Sequence, residues 1–143
     1  MLPLISNTYE IYEEVLHLWN VKTGDIFLCQ CGDINGSSVQ GGLRPVMVVQ
    51  SQDYNKHSPI VVVAIITTSI KKTYMPTHIV LPENTGLKHR SMVELEQIRT
   101  IAKQQLGMYI GSVTDEQTLK DIKAGIEVMF DTQSIGRNNN ENV

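Results

Sequence analysis

The sequence predicts a single small domain of mainly β (α+β) class. A strongly bent antiparallel sheet closes into a partial barrel, with a C-terminal helix and an added N-terminal helix. Three observations lead to this prediction. The chain has 143 residues, enough for one domain with its own core. Six short segments with strand-like patterns follow one another between residues 25 and 113. Helical periodicity is found only before and after that run.

Each strand is predicted from alternation or from a high density of branched apolar residues. Asp25–Cys31 alternates apolar and polar side chains, whereas Pro45–Gln50 and Ile60–Ile66 are rich in Val and Ile, as buried strands are. The polar stretch Ser51–Ser58 is predicted to be a connection. The remaining predicted strands are Met75–Leu81, which Pro82 stops, Met92–Ile101 and Gly107–Val113.

The two predicted helices begin at capping patterns. Asn7–Asn20 opens with a cap pair and has apolar residues at helical spacing, so we expect it to cover a sheet edge or to extend a dimer contact. Thr114 and Gln117 form a capping box that opens a helix ending near Phe130. Gly125 weakens the apolar stripe of this second helix.

Charge along the chain favours an anionic partner for its middle part. The formal net charge is −3, but its distribution matters more than its total. Residues 40–105 carry eight Lys or Arg against four acids, whereas 1–39 carry one against five and 106–143 carry three against six. A positive segment of this kind is typical of a surface that contacts phosphates.

Several classes of protein are disfavoured. The longest apolar run, Ile60–Ile66, is too short to cross a bilayer, and no secretory signal is recognisable, so we expect a cytoplasmic protein with no membrane contact. Cys29 and Cys31 share one face of a predicted strand but cannot complete a zinc site, and we expect reduced thiols. With four scattered histidines and no H-E-x-x-H or D-x-D pattern, we expect no metal ligands and no cofactor.

The most informative segment is the one that leads into the second strand. Gly41 and Gly42 tolerate unusual backbone angles and permit close approach of a ligand. Pro45 fixes its own φ and favours an extended conformation at Arg44, so the guanidinium projects from a defined point. Because this group is planar and permanently charged, the segment predicts either an anion site or a tight turn with a surface arginine.

Four motifs occur in a fixed order and favour an anion site. They are Q-G-G-x-R-P at 40–45, A-I-I-T at 64–67, P-T-H at 76–78 and L-E-Q-I-R-T at 95–100. Together they closely resemble the MazF/PemK family, the endoribonuclease toxins of bacterial type II toxin–antitoxin systems. The resemblance covers roughly residues 22 to 129 and implies the SH3-like barrel that this family shares with gyrase-poisoning CcdB toxins.

The resemblance divides the chain into three parts: a helical extension at 1–21, a toxin domain at 22–130, and a tail at 131–143 that has too little to bury and is expected to be disordered. It also implies the partners. These are single-stranded RNA, a cognate antitoxin protein and a second copy of the chain in a homodimer. DNA contact is expected only through the toxin–antitoxin complex.

The resemblance also implies the site residues. Arg44 matches the catalytic arginine of the family, and Thr67 matches its catalytic Ser/Thr, although the neighbouring Thr68 keeps the register open by one residue. The remaining matched positions are expected to bind RNA. They are Ser38, Gln40, Gly41, Gly42, His78, Glu96 and Gln97. For His78, a phosphate contact and an ordinary polar strand residue are equally compatible with the sequence.

The implied activity is metal-independent cleavage of single-stranded RNA by attack of its own 2′-hydroxyl. Two alternatives remain open: a gyrase-poisoning toxin of the CcdB type on the same fold, which would need neither Arg44 nor Thr67, and a catalytically silent nucleic-acid-binding regulator.

One departure from the family concerns Val39, where many relatives have Glu. We expect this change to affect the preferred cleavage sequence rather than the chemical step.

Overall fold

A computed structural model describes residues 20–32, 42–131 and 133–136. Several sequence predictions fall outside this part of the chain and stay predictions. They are the N-terminal helix Asn7–Asn20 apart from its last residue, the RNA-binding residues Ser38, Gln40 and Gly41, the departure at Val39, and most of the tail at 131–143.

The described residues form one antiparallel sheet of six strands and two α-helices. The order across the sheet is β4-β5-β3-β2-β1-β6. This confirms the mainly β architecture with a C-terminal helix. The strands are β1 (Asp25–Gln30), β2 (Leu43–Val48), β3 (Ile60–Thr67), β4 (His78–Val80), β5 (Met92–Ala102) and β6 (Leu106–Ser112), and the helices are α1 (Gln52–His57) and α2 (Glu116–Met129). None of the described helices is both long and apolar enough to cross a membrane.

The predicted polar connection Ser51–Ser58 does link β2 to β3, and it contains the short helix α1, which the sequence did not predict. Asn55 is completely buried there, and its side chain donates to the Gln50 carbonyl at 3.1 Å while accepting from the Gln50 amide at 3.1 Å. A helix of six residues shows no apolar periodicity that a sequence could reveal. Its stability comes from this buried amide pair and not from an apolar stripe.

The cap of α2 also differs from the prediction. Asp115, not Thr114, is the N-cap, and its carboxylate accepts from the Thr118 backbone N–H at 2.9 Å and from the Thr118 hydroxyl at 2.7 Å. These bonds lower the pKa of Asp115, because they stabilise its charged form. The Asp115 carboxylate thus satisfies one free backbone N–H of the first turn, as an N-cap side chain does.

The two faces of the sheet are buried in different ways. One face bears Val46, Val63 and Ile65, and its apolar cluster also includes Cys29 and Phe27 of β1. We call it the site face, because alternation along β2 and β3 puts Arg44 and Thr67 on it. The opposite face, the helix face, is the one that α2 covers, since Met47, Ala64, Ile66, Val93 and Ile122 belong to a single cluster. Strand alternation therefore separates the residues that support the helix from those that surround the site.

Gly125 is required by the packing of α2. A Cβ atom at this position would lie 2.5 Å from the Pro76 carbonyl oxygen and 2.6 Å from a Leu95 methyl carbon. The glycine that weakens the apolar stripe in the sequence is thus what allows α2 to approach the segment before β4 and the middle of β5.

Candidate active site

Arg44 and Thr67 lie on the same face of the sheet, at the ends of neighbouring strands. In the antiparallel ladder of β2 and β3, Val46 is opposite Ile65. This is the last pair of the ladder at that end; Arg44 precedes Val46 by two residues and Thr67 follows Ile65 by two, so both lie just beyond it on neighbouring strands. Arg44 is also opposite Cys29 of β1. Alternation along each strand puts both predicted catalytic side chains on the site face.

The hydroxyl of Thr67 is held in a fixed position. Thr67 is 6% exposed, and its Oγ1 accepts a hydrogen bond from the Ser69 backbone N–H at 3.1 Å. This bond uses an oxygen lone pair and leaves the hydroxyl proton for donation to another group. Thr68 lies beyond the end of β3 and is exposed, so it does not share this arrangement.

Backbone hydrogen bonds close the segment that leads to Arg44. The Cys31 N–H donates to the Gly42 carbonyl at 2.7 Å, and the Gly42 N–H donates to the Gly32 carbonyl. Gly42 has φ +79°, in the left-handed region that favours glycine. Arg44, two residues further, is half-buried within β2, which begins at Leu43 and not at the predicted Pro45. The start of β2 is therefore fixed to the end of β1.

A wide bulge in β5 interrupts the ladder with β3. Ala64 is opposite Ile98, but the next residue, Ile65, is opposite Glu94. One step along β3 thus corresponds to four along β5, and residues 95–97 are displaced from regular pairing. Bulges commonly redirect side chains beside functional sites. Here the Leu95 N–H donates to the Thr77 carbonyl at 2.8 Å, which turns the bulge towards the start of β4.

The bulge places the Glu96 carboxylate within hydrogen-bond distance of His78 and Thr77. One carboxylate oxygen of Glu96 lies 2.6 Å from His78 Nε2, and the other accepts from the Thr77 hydroxyl at 2.5 Å. The second ring nitrogen, His78 Nδ1, lies 2.9 Å from the Lys71 carbonyl oxygen. Because both ring nitrogens face acceptors, both must carry protons for both bonds to form, so this geometry selects the imidazolium.

The electrostatics agree with a charged His78. Burial lowers the pKa of His78, but the Lys71 carbonyl, the Glu96 carboxylate and the negative charge of Glu94 together outweigh it. The pKa is therefore raised above its usual value of 6.5. His78 and Glu96 form an ion pair whose side chains are 8% and 33% exposed.

His78, Glu94 and Glu96 have the composition of a divalent metal site, which was not predicted from the sequence. Their potential ligand atoms lie within 4.8 Å of one another. An imidazole binds a metal through a lone pair on an unprotonated nitrogen. Since both nitrogens of His78 are engaged with oxygen acceptors, the group fits an ion-pair network better than a metal centre.

Arg99 is a site-face residue for which the sequence predicted no role. It is opposite Val63, and its Nη1 donates to the Cys31 carbonyl at 3.0 Å. This contact ties β5 to the end of β1, close to Arg44. The signal in the sequence was its place in the L-E-Q-I-R-T motif, but only the fold shows which backbone group it holds.

The two cysteines are free thiols, as predicted. Burial, followed by the charge and the hydrogen bond of Cys31, raises the pKa of Cys29 to about 12, and Arg99 partly opposes the rise. A thiol with so high a pKa is a poor nucleophile at neutral pH. Cys29 therefore belongs to the core and not to the chemistry.

Comparison with known proteins identifies the family. Residues 22–130 match the model of the PemK-like, MazF-like toxins of type II toxin–antitoxin systems. The chain belongs to this PemK/MazF family. It is 34% identical over 116 residues to an endoribonuclease MazF of Staphylococcus saprophyticus, an alignment that covers 80% of this chain and 95% of the relative. It is 42% identical over 97 residues to the endoribonuclease EndoA of Bacillus subtilis, covering 67% and 83%.

Solved structures of PemK/MazF toxins share the fold. A mycobacterial endoribonuclease in complex with its cognate antitoxin aligns with a TM-score of 0.62 at 25% identity, covering 76% of this chain and 92% of that one. MazF of Deinococcus radiodurans aligns with a TM-score of 0.64 at 16% identity, covering 78% and 96%.

The fold places the family-matched residues in two groups. Arg44 and Thr67 form the first, each two residues beyond the last pair of the β2–β3 ladder. His78 and Glu96 form the second, bonded to each other, with the half-buried Gln97 beside them in the bulge. Gly42 lies at the entrance to β2, two residues before Arg44.

Proposed function

We propose that this PemK/MazF toxin is a sequence-specific endoribonuclease that cleaves single-stranded RNA, including mRNA, by 2′-hydroxyl attack without a metal ion. The observation that supports the proposal is that Arg44 and Thr67 each lie two residues beyond the last pair of the β2–β3 ladder, Val46 with Ile65. The activity class is that of the two curated relatives, both of which are named endoribonucleases.

Arg44 would contact the scissile phosphate. Its guanidinium offers several N–H donors in a planar fork, which suits the charge that develops on the phosphorane oxygens. A guanidinium in a protein does not give up its proton, so stabilisation of charge is a better role for Arg44 than removal of a proton. The Thr67 hydroxyl, oriented by the Ser69 N–H, would donate to a non-bridging phosphate oxygen.

The reaction is a transesterification. The 2′-oxygen forms a bond to phosphorus while the bond from phosphorus to the 5′-oxygen breaks, and the proton lost by the 2′-hydroxyl is balanced by one gained at the 5′-oxygen. The products are a 2′,3′-cyclic phosphate and a 5′-hydroxyl. A metal-independent route is supported by the chemistry of the described residues, since the His78 cluster is engaged in its own ion pair.

A cognate antitoxin would neutralise the toxin. The structural neighbour solved with its antitoxin supports such a partner. An acidic antitoxin segment would compete with RNA for the surface around Arg44 and Arg99. In this proposal the toxin acts in the cytoplasm as a homodimer, and it meets DNA only within the toxin–antitoxin complex. Translation and growth would stop because mRNA is cut.

The deciding experiment uses end-labelled RNA and purified toxin in excess EDTA. Cleavage should proceed and leave cyclic-phosphate and 5′-hydroxyl ends, and a single 2′-deoxy substitution at the cleaved nucleotide should block it. A strict need for magnesium, or cleavage of the 2′-deoxy substrate, would disprove the mechanism. Poisoning of DNA gyrase with intact RNA would favour the CcdB-type alternative.

A further inference from the structure

The connection from β3 to β4 exposes an unusual group of side chains. Lys71, Lys72 and Tyr74 are all exposed, and the Tyr74 ring, at 82% exposure, is the most exposed large hydrophobic side chain among the described residues. An exposed aromatic ring beside two lysines is the combination that single-stranded nucleic acids bind, because rings stack on bases and lysines pair with phosphates.

Hydrogen bonds hold the connection against the sheet. The Lys71 carbonyl accepts from His78 Nδ1, and His78 Nε2 is bonded to Glu96 in β5. The Met75 N–H closes a turn onto the Lys72 carbonyl at 3.0 Å, and Lys72 has φ +51°. The ring of Tyr74 is therefore presented by an anchored turn, which lowers the entropy lost when a ligand orders it.

A cavity of about 490 Å³ lies between this turn and α2. Tyr74 and Pro76 line one side, and Val128 and Asp121 of α2 line the other. Asp121 accepts from the Gln117 amide at 2.9 Å, which leaves further carboxylate lone pairs. The walls thus combine apolar surface with polar side chains, among them the acceptor Asp121, as the recognition of a base requires.

We propose that this turn and cavity bind one unpaired nucleobase of the RNA strand that is cleaved. Tyr74 stacks on the base, Asp121 accepts from its exocyclic amino group, and Lys71 and Lys72 contact the flanking phosphates. The inference rests on the proposed ribonuclease function. Lys71 follows Thr67 by four residues, a chain length of at most about 14 Å, so one RNA strand can reach both.

Charge favours RNA over an acidic protein segment as the occupant. The two lysines would attract either ligand. Asp121 would repel an acidic side chain or a phosphate from the cavity, so the neutral base and not the backbone would occupy it. A base amino group, in contrast, gains a hydrogen bond from a carboxylate.

The test combines protein variants with abasic RNA. Binding is measured with a 2′-deoxy substrate that cannot be cleaved, in which each nucleotide near the cleavage site is replaced in turn by an abasic one. With the native toxin, one abasic position should weaken binding at least about 5-fold, the lower limit for a stacked base. Tyr74→Ala should show the same loss on the intact RNA and no further loss at that abasic position.

Controls separate the contributions. Tyr54→Ala removes an equally accessible ring, 71% exposed on α1, and should bind RNA as the native toxin does. Asp121→Asn should reduce the preference for adenine over unsubstituted purine at the stacked position. The double variant Lys71→Ala, Lys72→Ala should reduce the salt dependence of binding, with the slope falling by about 0.7 for each phosphate that the variant no longer neutralises.

The measurements separate failure of the base-binding site from failure of the proposed ribonuclease function. If the native toxin cleaves RNA but Tyr74→Ala binds as well as Tyr54→Ala, the stacking site is wrong and the ribonuclease proposal stands. If the native toxin neither binds nor cleaves RNA, the function itself is wrong. Unchanged RNA binding by Tyr74→Ala with weaker binding of the antitoxin would make this surface a protein site and overturn the RNA assignment.

Discussion

His78 Nε2 lies 2.6 Å from a carboxylate oxygen of Glu96, and this ion pair joins β4 to the bulge of β5. Both residues were expected from the sequence to bind RNA. In the fold the His78 ring and the Glu96 carboxylate are hydrogen-bonded to each other, and His78 Nδ1 is also hydrogen-bonded to the Lys71 carbonyl. Their contribution to RNA binding is therefore expected to be indirect, through the position of the Lys71–Tyr74 turn and of Gln97.

Arg44→Ala should reduce the cleavage rate by a factor of about 10²–10³, the usual cost of losing one donor to a developing oxyanion. The fold should survive, because Arg44 is only half-buried at a strand end. Single-turnover kinetics on RNA and the circular dichroism spectrum measure the two effects. Arg90→Ala, an exposed arginine before β5, is the matched control and should retain most activity. Native rates for Arg44→Ala would remove this residue from the mechanism.

Thr67→Ala should slow cleavage by less than Arg44→Ala, since it removes one neutral donor. Thr67→Ser should recover much of the rate because it restores the hydroxyl. Thr68→Ala is the control, since Thr68 is exposed beyond the end of β3. The same single-turnover assay applies to all three variants. A loss with Thr68→Ala and none with Thr67→Ala would show that the catalytic hydroxyl is one residue further along.

Stability should depend on pH through His78. The charged groups facing it are Glu94 and Glu96 of β5, and Asp121 of α2 lies across the shared cavity. Since the pKa of His78 is raised in the folded state, the ion pair contributes fully below pH 6.5, the unfolded value. That contribution is lost as pH rises through the folded pKa.

The measurement is the free energy of unfolding from denaturant titrations between about pH 6 and pH 9, the range in which histidine titrates. The native toxin should lose stability with rising pH. His78→Gln should show a smaller slope, while His89→Gln, at an exposed position, should keep the native slope. Equal slopes for all three proteins would show that the fold does not raise the pKa of His78.

Gly125→Ala should destabilise the toxin even though alanine favours helices by up to about 1 kcal/mol over glycine. The added Cβ would meet the Pro76 carbonyl oxygen at 2.5 Å, a backbone atom that can move only with its segment. Overpacking of this kind costs about 1–3 kcal/mol. Thermal unfolding measures the change. Glu127→Ala, on the exposed side of α2, should lie within about 0.5 kcal/mol of the native toxin. A Gly125→Ala variant of native stability would mean that α2 does not pack this closely.

Local patterns in the sequence determined most of the sheet. Alternation and branched apolar residues placed all six strands, and the motif order placed Arg44 and Thr67 at strand ends. Side-chain alternation along a strand is a local property, so the residues that share a face can be read before the fold is known. The helix after β6 was predictable for the same reason, apart from its cap at Asp115.

Only the tertiary structure decided the rest. Four features join segments that are distant in the chain. They are the bulge at 95–97, the ion pair of His78 with Glu96, the hydrogen bond from Arg99 to the Cys31 carbonyl, and the close packing at Gly125. Such contacts depend on strand register, and a shift of register changes which residues meet without changing the local pattern. The sequence by itself therefore determined which side chains are candidates for the site, and the fold decided which of those candidates are hydrogen-bonded to one another.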